Sequence, residues 1–268
     1  MAGLRPDDGD PFRGGMADAL RRGLNDTFAT LMPLVDGSIA VRDGYRVLIC
    51  RSLPIPPVCG VWIDDPSKDE QIAAALPEAV AEVEAAGVPC TLQVINDTCP
   101  RTVEQAATLG LTEQELIVGM VVQPDELRAP PPTGEQIRTV DDPRDLQRVL
   151  AVTAQGFGVP EAAIAPIYTD RTLAHPDLAY YLAEIGDQPV SAGVGFHNGG
   201  LVGVYSIATP PDHRRHGYGS AIVSQIVSDA AKHGASLAYL QASPMGASVY
   251  RKLGFQPVID FTWLTRPT

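Results

Sequence analysis

Two stretches of this chain repeat one pattern. "AAGVPCTLQV" (85–94) leads into "EQAATLGLTEQELIVGMVV" (104–122), and "KHGASLAYLQA" (232–242) leads into "SVYRKLGFQPVIDFTWL" (248–264). Each reads helix end, glycine, strand, helix, Leu-Gly-apolar, strand, and the Leu-Gly pairs at 109 and 253 lie 144 residues apart. Self-similarity over such a span is the mark of a duplicated unit, so the expected fold is two copies of one α/β arrangement. The proline-rich "RAPPPTGE" (128–135) supplies the break between them, because consecutive prolines favour extended backbone and end regular structure. The organisation expected is a disordered lead-in over 1–15, a first domain over 16–128, a linker over 129–134 and a second domain over 135–268.

Charge separates the copies. The chain carries a net −12, of which residues 1–133 hold −10 and residues 134–268 only −2. An excess of acid excludes nucleic acid and anionic membranes as main partners, since both demand Lys and Arg. The longest uncharged run, Gln188 to Pro211, contains Pro189, five glycines and the turn His197-Asn198-Gly199-Gly200. It predicts a hairpin rather than a membrane span. The polar, acidic start lacks the apolar core of a signal peptide, and a cytoplasmic location is expected. Cys50, Cys59, Cys90 and Cys99 show no metal-ligand spacing and read as buried thiols; no metal is expected.

In the second copy, periodicity predicts strands at 135–140, 178–185, 190–197, 201–208 and 236–242, with a last extended run at 255–264. Helices are expected near 142–156, 217–233 and 246–253, with a looser helical segment at about 160–174. Helix 217–233 is the most strongly patterned, with Ile222, Val223, Ile226, Val227 and Ala230 on one face. It opens with "RRHGYGS" (214–220), where two arginines and a histidine precede two glycines. Uncapped N–H groups and the positive end of the helix dipole suit a phosphate there. The spacing is neither that of a P-loop nor that of a dinucleotide fingerprint, which needs a third glycine.

Arg214-x-x-Gly217-x-Gly219 between a strand and a helix resembles the acetyl-CoA signature R/Q-x-x-G-x-G/A of the GCN5-related N-acetyltransferases (GNATs). "ASVYRKLGF" (247–255) resembles that family's C-terminal Tyr-x-x-x-Gly-Phe segment. The resemblance implies two tandem GNAT-like domains, each a mixed, mostly antiparallel sheet flanked by helices. It implies acetyl-CoA as co-substrate, held by Arg214, Arg215, His216, Gly217, Tyr218, Gly219 and Ser220, with its pantetheine arm along the backbone of Ile207, Ala208 and Thr209. Tyr250 stands at the family's general-acid position. The reaction implied is direct acetyl transfer to a primary amine of a small molecule or peptide, since the second half offers no nucleophilic signature for an acyl-enzyme. A non-catalytic acyl-CoA-binding regulatory or scaffold protein is the alternative.

The general base stays open among Glu184, Asp187, His197, Tyr205 and water, and a homodimer stays open as an assembly. In the first copy the segment after "CGVWIDD" (59–65) has no glycine before Gly87 and one base, Lys68, and Ala106 stands where Tyr250 stands in the second. The first copy is therefore expected to have lost the loop.

Overall fold

A computed structural model describes residues 11–56, 58–130 and 134–267. Eleven strands form one sheet: β1 (Ser38–Val41), β2 (Tyr45–Ile49), β3 (Gly60–Ile63), β4 (Thr91–Ile95), β5 (Glu113–Val122), β6 (Gln136–Val140), β7 (Leu178–Ile185), β8 (Gln188–Asn198), β9 (Leu201–Ala208), β10 (Leu237–Ala242) and β11 (Gln256–Thr265). Their order across the sheet is β1-β2-β3-β4-β11-β5-β10-β9-β8-β7-β6. The helices are α1 (Pro11–Leu34), α2 (Asp69–Ala85), α3 (Pro100–Thr108), α4 (Pro143–Phe157), the short α5 (Glu161–Ile164) and α6 (Asp170–Leu173), α7 (Tyr218–Lys232) and α8 (Pro244–Lys252).

The strand order carries the duplication in an unexpected form. The last strand of each half crosses to the other: β5 pairs with β10 of the second half, β11 pairs with β4 of the first, and the two exchanged strands pair antiparallel between them. Ile117 lies directly opposite Phe261, at the same separation as the two Leu-Gly pairs, so a pseudo-twofold axis passes between these buried residues. On either side of it runs one parallel pair, Gly60–Trp62 with Thr91–Gln93 and Leu201–Gly203 with Leu237–Tyr239. Gln93 and Gln241 bond across the middle at 3.0 Å, and the Trp263 indole donates to Gln93 at 2.8 Å.

α4 and α7 show why these segments are helical. Asp142 caps α4 by accepting from the N–H groups of Arg144 and Asp145, and Gly158 ends the helix in the left-handed region. α7 buries Ile222, Val223, Ile226, Val227 and Ala230 on one face of the sheet against Tyr181, Val202, Val204 and Leu240. α4 lies on the opposite face, over Tyr180, Leu182, Val194 and Phe196. α1 shares that face. It lays Leu20, Leu24, Phe28 and Met32 into the first half's core, and the Tyr239 hydroxyl donates to the Gly23 carbonyl at 2.7 Å with Thr27 Oγ1 at the same distance. A Cβ on Gly23 would meet the Tyr239 ring at 2.5 Å, so the glycine permits this close approach.

The second-half elements fall where the hydrophobic pattern puts them, within a few residues, except that 160–174 is broken into α5, a 3-10 turn at Ala165–Ile167 and α6, with Pro166 inside the turn. Of the expected lead-in, residues 1–10 lie outside the described residues, and residues 11–15 open α1 instead of being disordered. The apolar four-residue spacing of Leu20, Leu24, Phe28 and Met32 drives helix through this stretch. Residues 131–133 of the linker lie outside the described residues. All four cysteines are buried free thiols, and among the described residues no helix is long and apolar enough to cross a membrane.

An exchanged pair makes the halves one unfolding unit. Phe261→Ala, which empties a site on the axis, is expected to cost about 3–5 kcal/mol. Fluorescence of Trp62 in the first half, read in a Trp263→Phe background, and far-UV circular dichroism should shift together. Two separated transitions would contradict the interlock.

Candidate active site

β9 and β10 part company early. They pair in parallel only from Leu201 to Gly203, while β9 runs on to Ala208 with no partner strand on that side. At the point of divergence the rings of Tyr205 and Tyr239 stand edge to face, 6.2 Å apart. A wedge-shaped cleft results, one wall of which is the free backbone edge of Val204–Ala208. On the other side of β9 the ladder to β8 slips by one residue between Ala192↔Ala208 and Val194↔Tyr205. This bulge places Ser206 at φ 52°, in the left-handed region that costs a non-glycine residue about 1–2 kcal/mol.

At the mouth of the cleft α7 begins without a cap. Gly217 holds φ 91°, no side chain accepts from the first turn, and no acidic residue lies in it. The Ala221 N–H is the first to find a helical acceptor, the Gly217 carbonyl at 3.0 Å. The N–H groups of Tyr218, Gly219 and Ser220 thus remain as donors, at the positive end of the helix dipole. A Cβ on Gly219 would stand 3.3 Å from Thr209 Oγ1 and 3.5 Å from Ile207 Cγ2, so the bare backbone keeps a gap between helix and strand end.

The three basic side chains before the glycines have different tasks. Arg214 donates from Nε to the Thr209 carbonyl at 3.1 Å and from Nη2 to the Gly156 carbonyl at 2.8 Å. It clamps the end of β9 to the C-terminus of α4 instead of reaching out as a free cation. Arg215 is exposed at φ 66°. His216 stacks on Tyr218, with ring centroids 5.6 Å apart, and its Nδ1 lies 3.2 Å from the His213 carbonyl.

Tyr250 comes from α8 to the same apolar cluster as Ile207 and Tyr218, half-buried and edge-on to Phe255. Burial pushes its pKa up to about 12, which keeps the proton on the phenol at neutral pH. Its hydroxyl has no hydrogen-bond partner among the described residues. Of the candidate bases, Glu184 is committed elsewhere: Arg138 and Arg148 bind it at 2.9 and 2.5 Å, and both also bind Asp145. Asp187 is exposed. His197 lies at the opposite end of α7, beside His233, and burial lowers its pKa. Tyr205 is committed to the wall beneath α1, where burial holds its pKa well above the usual phenol value.

The equivalent cleft in the first half is closed. β3 stops at Ile63, and Arg21 of α1 donates to the carbonyl of Asp64, taking the acceptor next along the strand edge. Arg21, Leu24, Trp62, Gln93 and Phe261 leave a void of about 10 Å³, room for one water at most. α2 opens with Asp69 and Glu70 in its first turn, behind Asp64 and Asp65. Asp69 accepts from the N–H groups of Arg101 and Thr102, both at 2.8 Å, and so caps α3. Four carboxylates at this helix start repel an anion. Ala106, opposite number of Tyr250, is fully buried with no polar group to offer.

A family model described as an acetyltransferase (GNAT) domain matches residues 176–257, the span from β7 into β11 that contains the cleft, the loop and Tyr250. Residues 176–257 are a GNAT domain. Among solved structures, a GCN5-related N-acetyltransferase from Kribbella flavida is similar over 90% of this chain and 93% of its own, with a TM-score of 0.68 at 19% identity. One from Sphaerobacter thermophilus is similar over 86% of this chain and 76% of its own, with a TM-score of 0.57 at 16% identity. A tandem GNAT protein from the clavulanic acid biosynthesis pathway is similar over 87% of this chain and 84% of its own, with a TM-score of 0.55 at 14% identity. A search of curated proteins gives no match. These similarities extend the GNAT fold over both halves.

Sequence reasoning placed the loop glycines, the strand end and Tyr250, which the fold brings together around one cleft. It missed the bulge at Ser206 and the plug by Arg21, neither of which carries a local sequence signal.

The Glu184 assignment gives a pH test. Hydrogen bonds from Arg148 and Arg138 hold the Asp145 carboxyl below its usual value. A carboxyl whose pKa is lowered by folding contributes fully above its unfolded value of about 3.9, and that contribution is lost as pH falls through the folded value. Asp145→Asn should therefore flatten the stability profile below about pH 4 in acid-unfolding titrations. An unchanged acid limb would show that the cluster contributes nothing.

Proposed function

We propose that this protein transfers an acetyl group from acetyl-CoA directly to a primary amine of a small molecule or peptide, using the cleft of the second half alone. The observation that carries the reading is the free edge of β9 running into the uncapped start of α7. The three N–H donors at 218–220 suit the pyrophosphate, and the edge of β9 that β10 leaves uncovered, running to Ile207, Ala208 and Thr209, suits the amides of the pantetheine arm, which recognises main chain whatever the side chains. Arg214 contributes by fixing the geometry of the loop. Arg215 and His216, both exposed, suit the ribose phosphate.

In the reaction the amine nitrogen attacks the thioester carbonyl, the C–S bond breaks, and the sulfur leaves as thiolate. The amine must lose one proton and the thiolate gain one. Tyr250 supports the second event: a phenol with its pKa above that of a thiol, about 8.5, keeps its proton and offers a hydrogen bond to the sulfur as charge develops there. None of the four side chains considered, Glu184, Asp187, His197 and Tyr205, stands ready for the first event, which favours water as the route for the amine's proton. The first half supplies α1 and the exchanged strand β5, so it serves as a wall for the working cleft.

A panel of primary amines incubated with acetyl-CoA, with free thiol release as the signal, tests the reading. Turnover with at least one acceptor is expected, and Tyr250→Phe should slow it about 10²- to 10⁴-fold while acetyl-CoA affinity is kept. Tight binding with no thiol release across the panel would turn the reading toward a non-catalytic acyl-CoA-binding module. A Tyr250→Phe variant with full turnover would remove the phenol from the mechanism.

A further inference from the structure

Two glutamines meet across the seam between the halves. Gln93 of β4 and Gln241 of β10 are equivalent by the pseudo-twofold: Gln93 lies opposite Trp263 and Gln241 opposite Gly119, and those two partners are 144 residues apart, as the Leu-Gly pairs are. An indole N–H can only donate. The 2.8 Å bond from Trp263 to Gln93 therefore fixes Oε1 as the atom that Gln93 turns to the seam. Gln241 donates from Nε2 to the same oxygen at 3.0 Å, since a second carbonyl oxygen would be repelled there. The orientation of Gln241 follows: its nitrogen is spent on Gln93, and its own Oε1 is turned away from the seam.

That oxygen is unspent. Gln241 is half-buried, and among the described residues its Oε1 accepts no hydrogen bond. In the first half the Trp263 indole serves the glutamine carbonyl, but its equivalent in the second, Gly119, has no donor to bring. No side chain could stand there, because a Cβ on Gly119 would meet Ile259 Cγ2 at 2.6 Å and the Ile259 carbonyl at 3.1 Å. The strand sets this glutamine in the wall of the cleft. β10 pairs with β9 as far as Tyr239↔Gly203, and continuing that register by two residues brings Gln241 level with Tyr205, where the strands have parted. Strand alternation puts Gln241 on the face of Tyr239, whereas Leu240 and Ala242 pack with α7. Of residues 240–242 along the open wedge, Gln241 alone carries a hydrogen-bonding side chain.

We propose that Gln241 is the residue that receives the acceptor amine: its Oε1 accepts an N–H of the attacking nitrogen, and Gln93 and Trp263 are positioning residues that keep this oxygen turned from the seam to the cleft. The inference rests on the acyl-CoA reading above. With the pyrophosphate at 218–220 and the arm running back along Thr209, Ala208 and Ile207, the thioester lies inside the wedge, between the backbone of β9 and the wall that carries Gln241. α7 packs on one face of the sheet and Gln241 stands on the other, so cofactor and amine meet from opposite sides. An N–H directed at Gln241 leaves the nitrogen lone pair for the thioester carbonyl, and the bond strengthens as positive charge grows on the nitrogen. The amide oxygen does not take the proton, which leaves through water as above. Gln93 of the first half thus orients a side chain in the cleft of the second.

The test uses the 268-residue chain and needs no acceptor. Carbamoylmethyl-CoA, a thioether made from CoA and iodoacetamide, carries an amide NH2 just beyond its carbonyl, where the attacking nitrogen would stand. Acetonyl-CoA carries a methyl group there instead. Both are titrated calorimetrically, beside CoA, into wild type, Gln241→Met and Trp263→Phe, and the ratio of the two analogue affinities is read within each protein. Gln241→Met removes the carbonyl while Gln93 Oε1 keeps its bond from Trp263. The preference for the amide should fall about 2- to 10-fold in Gln241→Met, the worth of one hydrogen bond. It should fall in Trp263→Phe as well, with CoA affinity kept in both variants. A ratio unchanged in Gln241→Met, or equal losses for CoA and both analogues, would overturn the acceptor role, since a purely structural glutamine weakens all three ligands alike. A ratio unchanged in Trp263→Phe would overturn the orientation by the indole. Wild-type protein that binds none of the three would instead overturn the acyl-CoA reading, and this proposal with it.

Discussion

The antiparallel pairing of β5 with β11 is the interaction on which the rest of this molecule depends. Each strand closes the other half's sheet, so neither half completes its own core without the chain of the other. Ile117 and Phe261 meet on the pseudo-twofold axis, with Gln93, Gln241 and Trp263 bonded beside it. Burial at this seam is shared, and a change there is felt on both sides. It also sets the geometry of the second-half cleft, because β10, one wall of the wedge, is held from behind by β5 rather than by a strand of its own half.

Within that symmetric frame the two clefts are built in opposite ways. In the second half a glycine-opened helix without acid in its first turn faces the free edge of β9. In the first, α2 starts among Asp64, Asp65, Asp69 and Glu70, and the guanidinium of Arg21 occupies the strand edge. The contrast is electrostatic and steric together. Uncapped N–H groups attract an anion only where no carboxylate has taken them or stands beside them. α1 links the two outcomes: Arg21 closes one cleft while Gly23 and Thr27, on the same helix, seat Tyr239 beside the other.

Much of the second half was legible in the sequence because its signals are local. Apolar spacing at 222, 223, 226, 227 and 230 defines α7, and Gly217 and Gly219 mark a backbone that something must approach. The exchange of β5 and β11 was not legible. A strand such as "ELIVGMVV" is equally apolar whichever neighbour it joins, and only the three-dimensional register distinguishes its own half from the other. The role of Arg214 was hidden for a similar reason. A guanidinium before a glycine loop reads as a ligand for phosphate, and its actual acceptors, the carbonyls of Thr209 and Gly156, are backbone groups that every residue carries. The bulge at Ser206 likewise depends on the pairing of β8 with β9 and on no feature of serine.

One acetyl-CoA site per chain is the central claim, and calorimetric titration of the 268-residue chain with acetyl-CoA measures it most directly. A stoichiometry of one is predicted, with the heat of binding lost in Gly219→Val, whose side chain fills the gap between α7 and the end of β9. A stoichiometry of two, or a Gly219→Val variant that binds as wild type does, would contradict it.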